Sequence, residues 1–302
     1  MNLPVVFRRC RSALSVLVVV WAFLHVATAF AGRYRVVTYN VLADSGSTTV
    51  GPGFYTVIQG IGDEVVNGVS EPVDILALQE TTSNAITVAP IVTQLNTMYG
   101  AGTYAMSPYQ ATQNGSAGSG NGPNALVYKT TTLQLIASVG IGSPSTSGFP
   151  RQPVRYEFRP VGGDAAFDFY VYVSHAKAGT TSTDKNRRNI EAQAIRTNEA
   201  TLPADARVLY VGDWNLTAST EAAYQTLLAA GQGQGFDPPN VPGNWELNPA
   251  IVAVMTYSGS NLRYRDDFEL VTQNIMSDPS GLVYVAGSFR PFGNNGSVHS
   301  PC

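Results

Sequence analysis

A chain of 302 residues, 44% hydrophobic and only 13% charged, has ample length for one large domain with a sizeable core. Its 18 Lys and Arg against 21 Asp and Glu leave a net charge of −3, which argues against nucleic-acid binding by bulk electrostatics. Many glycines and plentiful Thr, Val and Tyr suit a sheet-rich extracellular protein, and no internal repeat, heptad or long charge run interrupts the chain.

Arg8, Arg9 and Arg11 precede an apolar run from Ala13 to about Ala29, and Ala29-Phe30-Ala31 has the small-x-small form of a cleavage site. This pattern predicts a secretory signal peptide over residues 1–31 and a mature domain over 32–302. The product is expected to be secreted or periplasmic, monomeric and without stable membrane association after cleavage. Losing three arginines leaves 15 basic against 21 acidic residues, about −6. Cys10 and His25 leave as well, so Cys302 cannot form an intramolecular disulfide and only His175 and His299 remain.

Arg33 to Leu42 alternates as a strand and ends in Thr38-Tyr39-Asn40-Val41. Phe54, Val57, Ile58, Ile61 and Val65 follow at helical spacing. Val73 to Glu80 is a nearly all-apolar strand closing on a carboxylate, and a second helix turns Ile91, Leu95 and Met98 inward. Gln113 to Asn124 is a loop too polar to pack, before strands at Ala125–Tyr128, Leu133–Val139 and Pro153–Arg159. Phe167 to Ser174 is a further strand, delivering His175, and Asp184 fits the N-cap of a helix that buries Ile190, Ala194 and Ile195. Arg207 to Asp213 is the clearest buried strand, followed by a helix near Glu221–Ala230 and a coreless surface loop from Gly231 to Pro249. The segment Leu262 to Phe268 leads into another strand, and Leu282–Ala286 forms the last. Helices between buried strands make an α/β fold, with two sheets packed face to face.

Four of these strands finish on polar residues: Asn40, Glu80, His175, and Asp213 with Asn215. Strand ends on one edge converge on one cleft. On an extended segment Asp213 and Asn215 would face one spot while Trp214 turns away to pack. Two carboxylates, two carboxamides and an imidazole suit a hard cation and a phosphate ester rather than zinc proteolysis. Elsewhere, Arg151 and Arg155 share one face of a strand and could contact phosphate, though a solvated strand face is the expectation. Lys185, Arg187 and Arg188 form a basic cluster that fits either surface charge at a helix start or contact with a nucleic-acid backbone. Lys177 lies close enough to His175 to join the site.

The motifs T-Y-N-V at Asn40, L-Q-E at Glu80, H-A-K-A-G from His175, G-D-W-N from Gly212 and R-D-D-F around Asp267 occur in an order that resembles the endonuclease/exonuclease/phosphatase superfamily. The H-A-K-A-G form is most similar to its secreted bacterial members. The resemblance implies a deoxyribonuclease-like four-layer α/β/β/α sandwich and a metal-dependent phosphoesterase, a nuclease as first guess, with phospholipid or sugar phosphate as other substrates. It implies Glu80 as principal ligand of Mg²⁺ (or Mn²⁺ or Ca²⁺), with Asn40 beside it. Asp213 and Asn215 would position or activate water and hold phosphate oxygens. His175 would stabilise the phosphoryl charge or protonate the leaving oxygen, and Asp267 would orient a second histidine in a final S-D-H motif. Here the only candidate is Ser297-Val298-His299-Ser300, with valine in place of aspartate. Either His299 is that histidine, or the final motif is missing and the chain is a catalytically impaired or non-catalytic remnant.

Overall fold

The computed structural model of the protein describes residues 32–45, 49–114, 122–257, 262–277 and 281–294. The expected signal peptide and His299 lie outside them. One sheet contains β1 (Val36–Asn40), β2 (Ile75–Gln79), β3 (Tyr104–Met106) and β4 (Ala125–Lys129), in the order β1-β2-β4-β3. The other contains β5 (Leu133–Gly140), β6 (Val154–Pro160), β7 (Phe169–His175), β8 (Arg207–Asp213), β9 (Gly235–Phe236) and β10 (Asp267–Thr272), in the order β5-β6-β7-β8-β10-β9. The helices are α1 (Phe54–Asp63), α2 (Ala89–Tyr99), α3 (Ser182–Glu199), α4 (Ala222–Leu228) and the short α5 (Gln273–Ser277).

The side-chain alternation of a strand accounts for the layering. Along β2, Ile75 and Ala77 enter the core between the sheets, whereas Leu76 and Leu78 pack under α1 and α2. Along β8, Leu209 and Val211 face the other sheet while Val208 and Tyr210 face α3 and α4. Both strands are apolar on both faces, so they read as near-continuous hydrophobic runs. The result is the expected α/β/β/α sandwich.

Two parallel pairs, β1 with β2 and β7 with β8, each connected through a helix, bring four strand ends to one edge. Antiparallel β10 starts at that edge, with Asp267 opposite Asp213, which in turn lies opposite His175.

Several expectations change. Thr181 is the N-cap of α3, and Asp184 is its reciprocal partner three residues on in a capping box. Ile195 is buried as expected, but Ile190 and Ala194 are only half-buried beside Arg188, Glu191 and Ala192. Val65 falls beyond α1 and is exposed. The segment 231–249 is not coreless: it supplies β9, the fully buried Trp245, and Asp237, which accepts two bonds of 2.7 Å from buried Arg265. Leu282–Ala286 pairs with no strand among the described residues, although Tyr284 N–H donates to Ile275 O at 2.7 Å. No described helix is long and apolar enough to cross a membrane.

Candidate active site

The edge is built first by backbone fit. Gly212 has φ +151°, and a Cβ there would sit 2.0 Å from Ser174 O on β7. Only glycine therefore allows β8 to lie this close to β7 and set Asp213 against His175. Leu42, Glu80 and Asn215, each at or just beyond a strand end, adopt left-handed φ of 51°, 54° and 51°. Non-glycine residues in this region carry roughly 1–3 kcal/mol of strain each, which the surrounding packing must hold.

Asn40 joins the two sheets. Its Nδ2 donates to Glu80 Oε1 at 3.0 Å and to Asp213 Oδ2 at 3.1 Å, while its Oδ1 accepts from Leu42 N–H at 3.0 Å. Buried His175 points Nε2 at the same two carboxylates, 3.8 Å from Glu80 Oε1 and 3.5 Å from Asp213 Oδ2. Burial, with Arg151 and Lys177 nearby, holds the imidazole well below its ordinary pKa, so it is neutral at physiological pH. Burial pushes Asp213 up to about 6, opposed by the Asn40 bond and Arg151 and reinforced by Glu80. It likewise raises Asp266 to about 7 and, with Asp213 adjacent, lifts Asp267 well above the carboxylate range.

Asn215 reaches this cluster by a different geometry from the expected one. The strand stops at Asp213, so the alternation rule does not extend to it. Its backbone N–H holds the Asp213 carboxylate and its Nδ2 donates to Ala176 O at 3.1 Å. Trp214 is core, stacked on Phe268 with ring centroids 5.8 Å apart. Lys177 turns from His175 to Asp184, with Nζ 3.5 Å from the carboxylate. Asp267 stands in the cluster, yet no second histidine accompanies it among the described residues.

The expectation of a solvated Arg151 is overturned. It is 4% exposed, donates to Ala176 O at 3.2 Å, and lies in the field of Asp213, Glu80, Glu191 and Asp44. A strand face would have been solvated, but the residue precedes β6 and its side chain runs under the site; nothing in Pro150-Arg151-Gln152-Pro153 signals that. Arg188 is also no surface charge: it is buried and ion-paired with Glu221 at 2.6 Å. Of the buried acids that escaped the sequence reading, two lie near the site: Asp44, close to Arg151, and Glu191, which accepts from Ser174 Oγ and is pushed up to about 7 by burial. Glu191 sits within a helix of ordinary polar appearance, so no local signal marks it.

Asn40, Glu80, Arg151, His175, Asp213 and Asp267 share one cavity of about 1,070 Å³. Among the described residues no three His, Cys, Asp or Glu side chains converge at metal-ligating distance. The donor set nevertheless fits a hard cation: Asp213 Oδ1 and Asp267 Oδ1 are buried without a hydrogen-bond partner, and neighbouring carboxylates repel one another. Asn40 currently turns its N–H, not its oxygen, toward them.

Two sheets face to face, gathering amide, carboxylate, imidazole and guanidinium at one edge, define a sandwich of the phosphoesterase class. The chain belongs to the Endonuclease/Exonuclease/phosphatase family, whose model matches residues 37–252. Members of that family are phosphoester hydrolases. No curated protein matches the sequence. Among solved structures, the human Nocturnin catalytic domain with bound sulfate is similar at 16% identity and TM-score 0.48, over 67% of this chain and 69% of that one. Sphingomyelinase C from Streptomyces griseocarneus is similar at 16% identity and TM-score 0.47, over 78% and 82%. A humanized TDP2 from D. rerio is similar at 15% identity and TM-score 0.48, over 78% and 81%.

Proposed function

We propose that this chain is an exported, metal-dependent phosphodiesterase that drives water onto phosphorus, with nucleic acid as the first substrate to test. The observation that carries the reading is the bridge of Asn40 between Glu80 and Asp213, beside neutral His175 and within the field of Arg151. Glu80 would hold a divalent cation of the Mg²⁺ type, with Asn40 beside it once its amide oxygen turns to the ion, and the partnerless oxygens of Asp213 and Asp267 border that space. When bound, such an ion offsets phosphate charge and lowers the pKa of water.

The chain's own groups divide the rest. Asp213, with its pKa raised to about 6, is ionised at neutral pH and a better base than an ordinary aspartate for the proton of the attacking water. Asn40 fixes its rotamer. Neutral His175 can donate from Nε2 to a phosphoryl oxygen, in a preorganised site that needs little rearrangement. Buried Arg151 stays cationic and offsets charge that develops in the transition state. A mature charge of about −6 repels an acidic substrate, so local positive charge must supply the attraction. The apolar run before Gly32 would direct export.

One observation favours a second reading. Asp267 has no histidine to orient among the described residues, as a non-catalytic remnant would leave it. Hydrolysis of bis(4-nitrophenyl) phosphate decides between them. Turnover that requires Mg²⁺ and is abolished by chelator and by Glu80→Ala supports the enzyme. Turnover indifferent to both defeats the metal mechanism, and phosphate binding without turnover selects the remnant.

A further inference from the structure

The cavity is far longer than a phosphate needs. From the site it follows the whole run Gly32 to Asn40, the free side of β1. Among the described residues that strand ends its sheet and pairs with β2 alone. Arg35 O accepts from Ile75 N–H and Val41 N–H donates to Gln79 O. The intervening Val36 and Thr38 therefore aim their peptide groups away from β2, into the trough. No other described segment hydrogen-bonds to them.

Leu209 and Val271 from the opposite sheet, Ile61 from α1, and Val283 and Phe292 from the segment 281–294 give the trough apolar walls, and Arg35, Glu64, Glu71 and Asp74 also line it. That segment is moored to the α1 region by Arg290 to Glu64 at 2.7 Å and by Asn67 Nδ2 to Ala286 O at 3.2 Å. A further acid stands among these apolar residues. Glu269, on the inward side of β10, has neither a hydrogen bond nor an ion-pair partner among the described residues. An acyl chain would fill the volume but leave both the peptide groups and the carboxyl unsatisfied.

We propose that the trough is an acceptor for an extended peptide strand, which adds to the free edge of β1 and presents a lysine or arginine to Glu269. Backbone pairing gives the affinity of such strand addition, and alternate side chains give its selectivity. A second copy of the folded chain is the poorer occupant, because its own β1 edge is equally recessed and two recessed edges do not meet. The proposal stands apart from the catalytic reading: it concerns the length of β1, not the chemistry at Asn40.

The test uses a soluble nine-residue peptide of alternating valine and threonine with a central lysine, matched to the nine residues Gly32 to Asn40. At saturation, amide hydrogen exchange at Val36 and Thr38 should slow by about tenfold or more, with exchange on β5 unchanged. The same peptide N-methylated at alternate residues should give no protection. Glu269→Gln should weaken the lysine peptide by about tenfold and leave a norleucine version unaffected. Three results overturn the proposal: no protection by the lysine peptide, equal protection by the N-methylated one, or protection arising without peptide from a concentration-dependent dimer.

Discussion

Gly212→Ala tests how the site is held. Alanine must adopt φ +151° and place its Cβ 2.0 Å from the Ser174 carbonyl oxygen, with Ser174 C at 2.9 Å. The neighbour is backbone in a buried strand, so no side chain can swing aside. The unfavourable φ costs roughly 1–2 kcal/mol and the forced separation ~1–3, together ~2–5 kcal/mol. For a domain of this size that corresponds to a fall in Tm of ~5–15 °C. Relief by moving β8 from β7 also carries Asp213 from His175, now 3.5 Å apart, and a displacement near 1 Å costs about 10²-fold in turnover. Urea denaturation gives the first quantity and phosphodiester turnover the second. A stability change below about 0.5 kcal/mol with unchanged turnover would refute the claim that close β7–β8 contact sets the site.

Other perturbations separate buried charge from surface charge. Arg188→Met strands Glu221, which accepts from Arg188 at 2.6 and 3.1 Å, and should cost ~3–5 kcal/mol in denaturation, whereas the pair Arg188→Met with Glu221→Gln should recover most of it. Recovery of nothing would show that the charge was not the problem. Lys177→Ala should change kcat/KM less than about twofold, since its ammonium is committed to Asp184; a hundredfold loss would return it to the site. Glu269 titrates near 4.3 when unfolded but at about 8 when folded, so the native state holds its proton more tightly and stability falls as pH rises between those values. Glu269→Gln should therefore gain roughly 1–3 kcal/mol over wild type on going from pH ~4 to ~9, after allowing for solvent screening. Parallel pH–stability curves would contradict this.

Strands with two apolar faces, such as those ending at Glu80 and Asp213, were legible because their runs need no tertiary information. The polar residues at their ends were legible for the same reason, and parallel pairing through α1 and α3 brought them to one edge. What failed depended on distance. Arg188 and Arg151 look like ordinary surface cations until Glu221 and the carboxylate cluster arrive from elsewhere in the chain. Trp245 and Asp237 lie in a Gly- and Pro-rich stretch without periodicity, yet Arg265 and the rings of Tyr224 and Phe268 bury both. Asn215 was misplaced by one rule applied a residue too far: the extended conformation stops at Asp213, and a left-handed residue follows. The capping box misled in a smaller way, since Thr181 and Asp184 both qualify as caps and only geometry ranks them.

The amide of Asn40 belongs to one sheet, and of the carboxylates it joins, one is local and the other crosses from the opposite layer. The site thus behaves as a vernier: slippage of one layer over the other by a fraction of an ångström misaligns it while the greasy interior is still intact. Warming should silence this protein before it melts, because the tolerance of a two-point clasp is finer than that of the oil it spans.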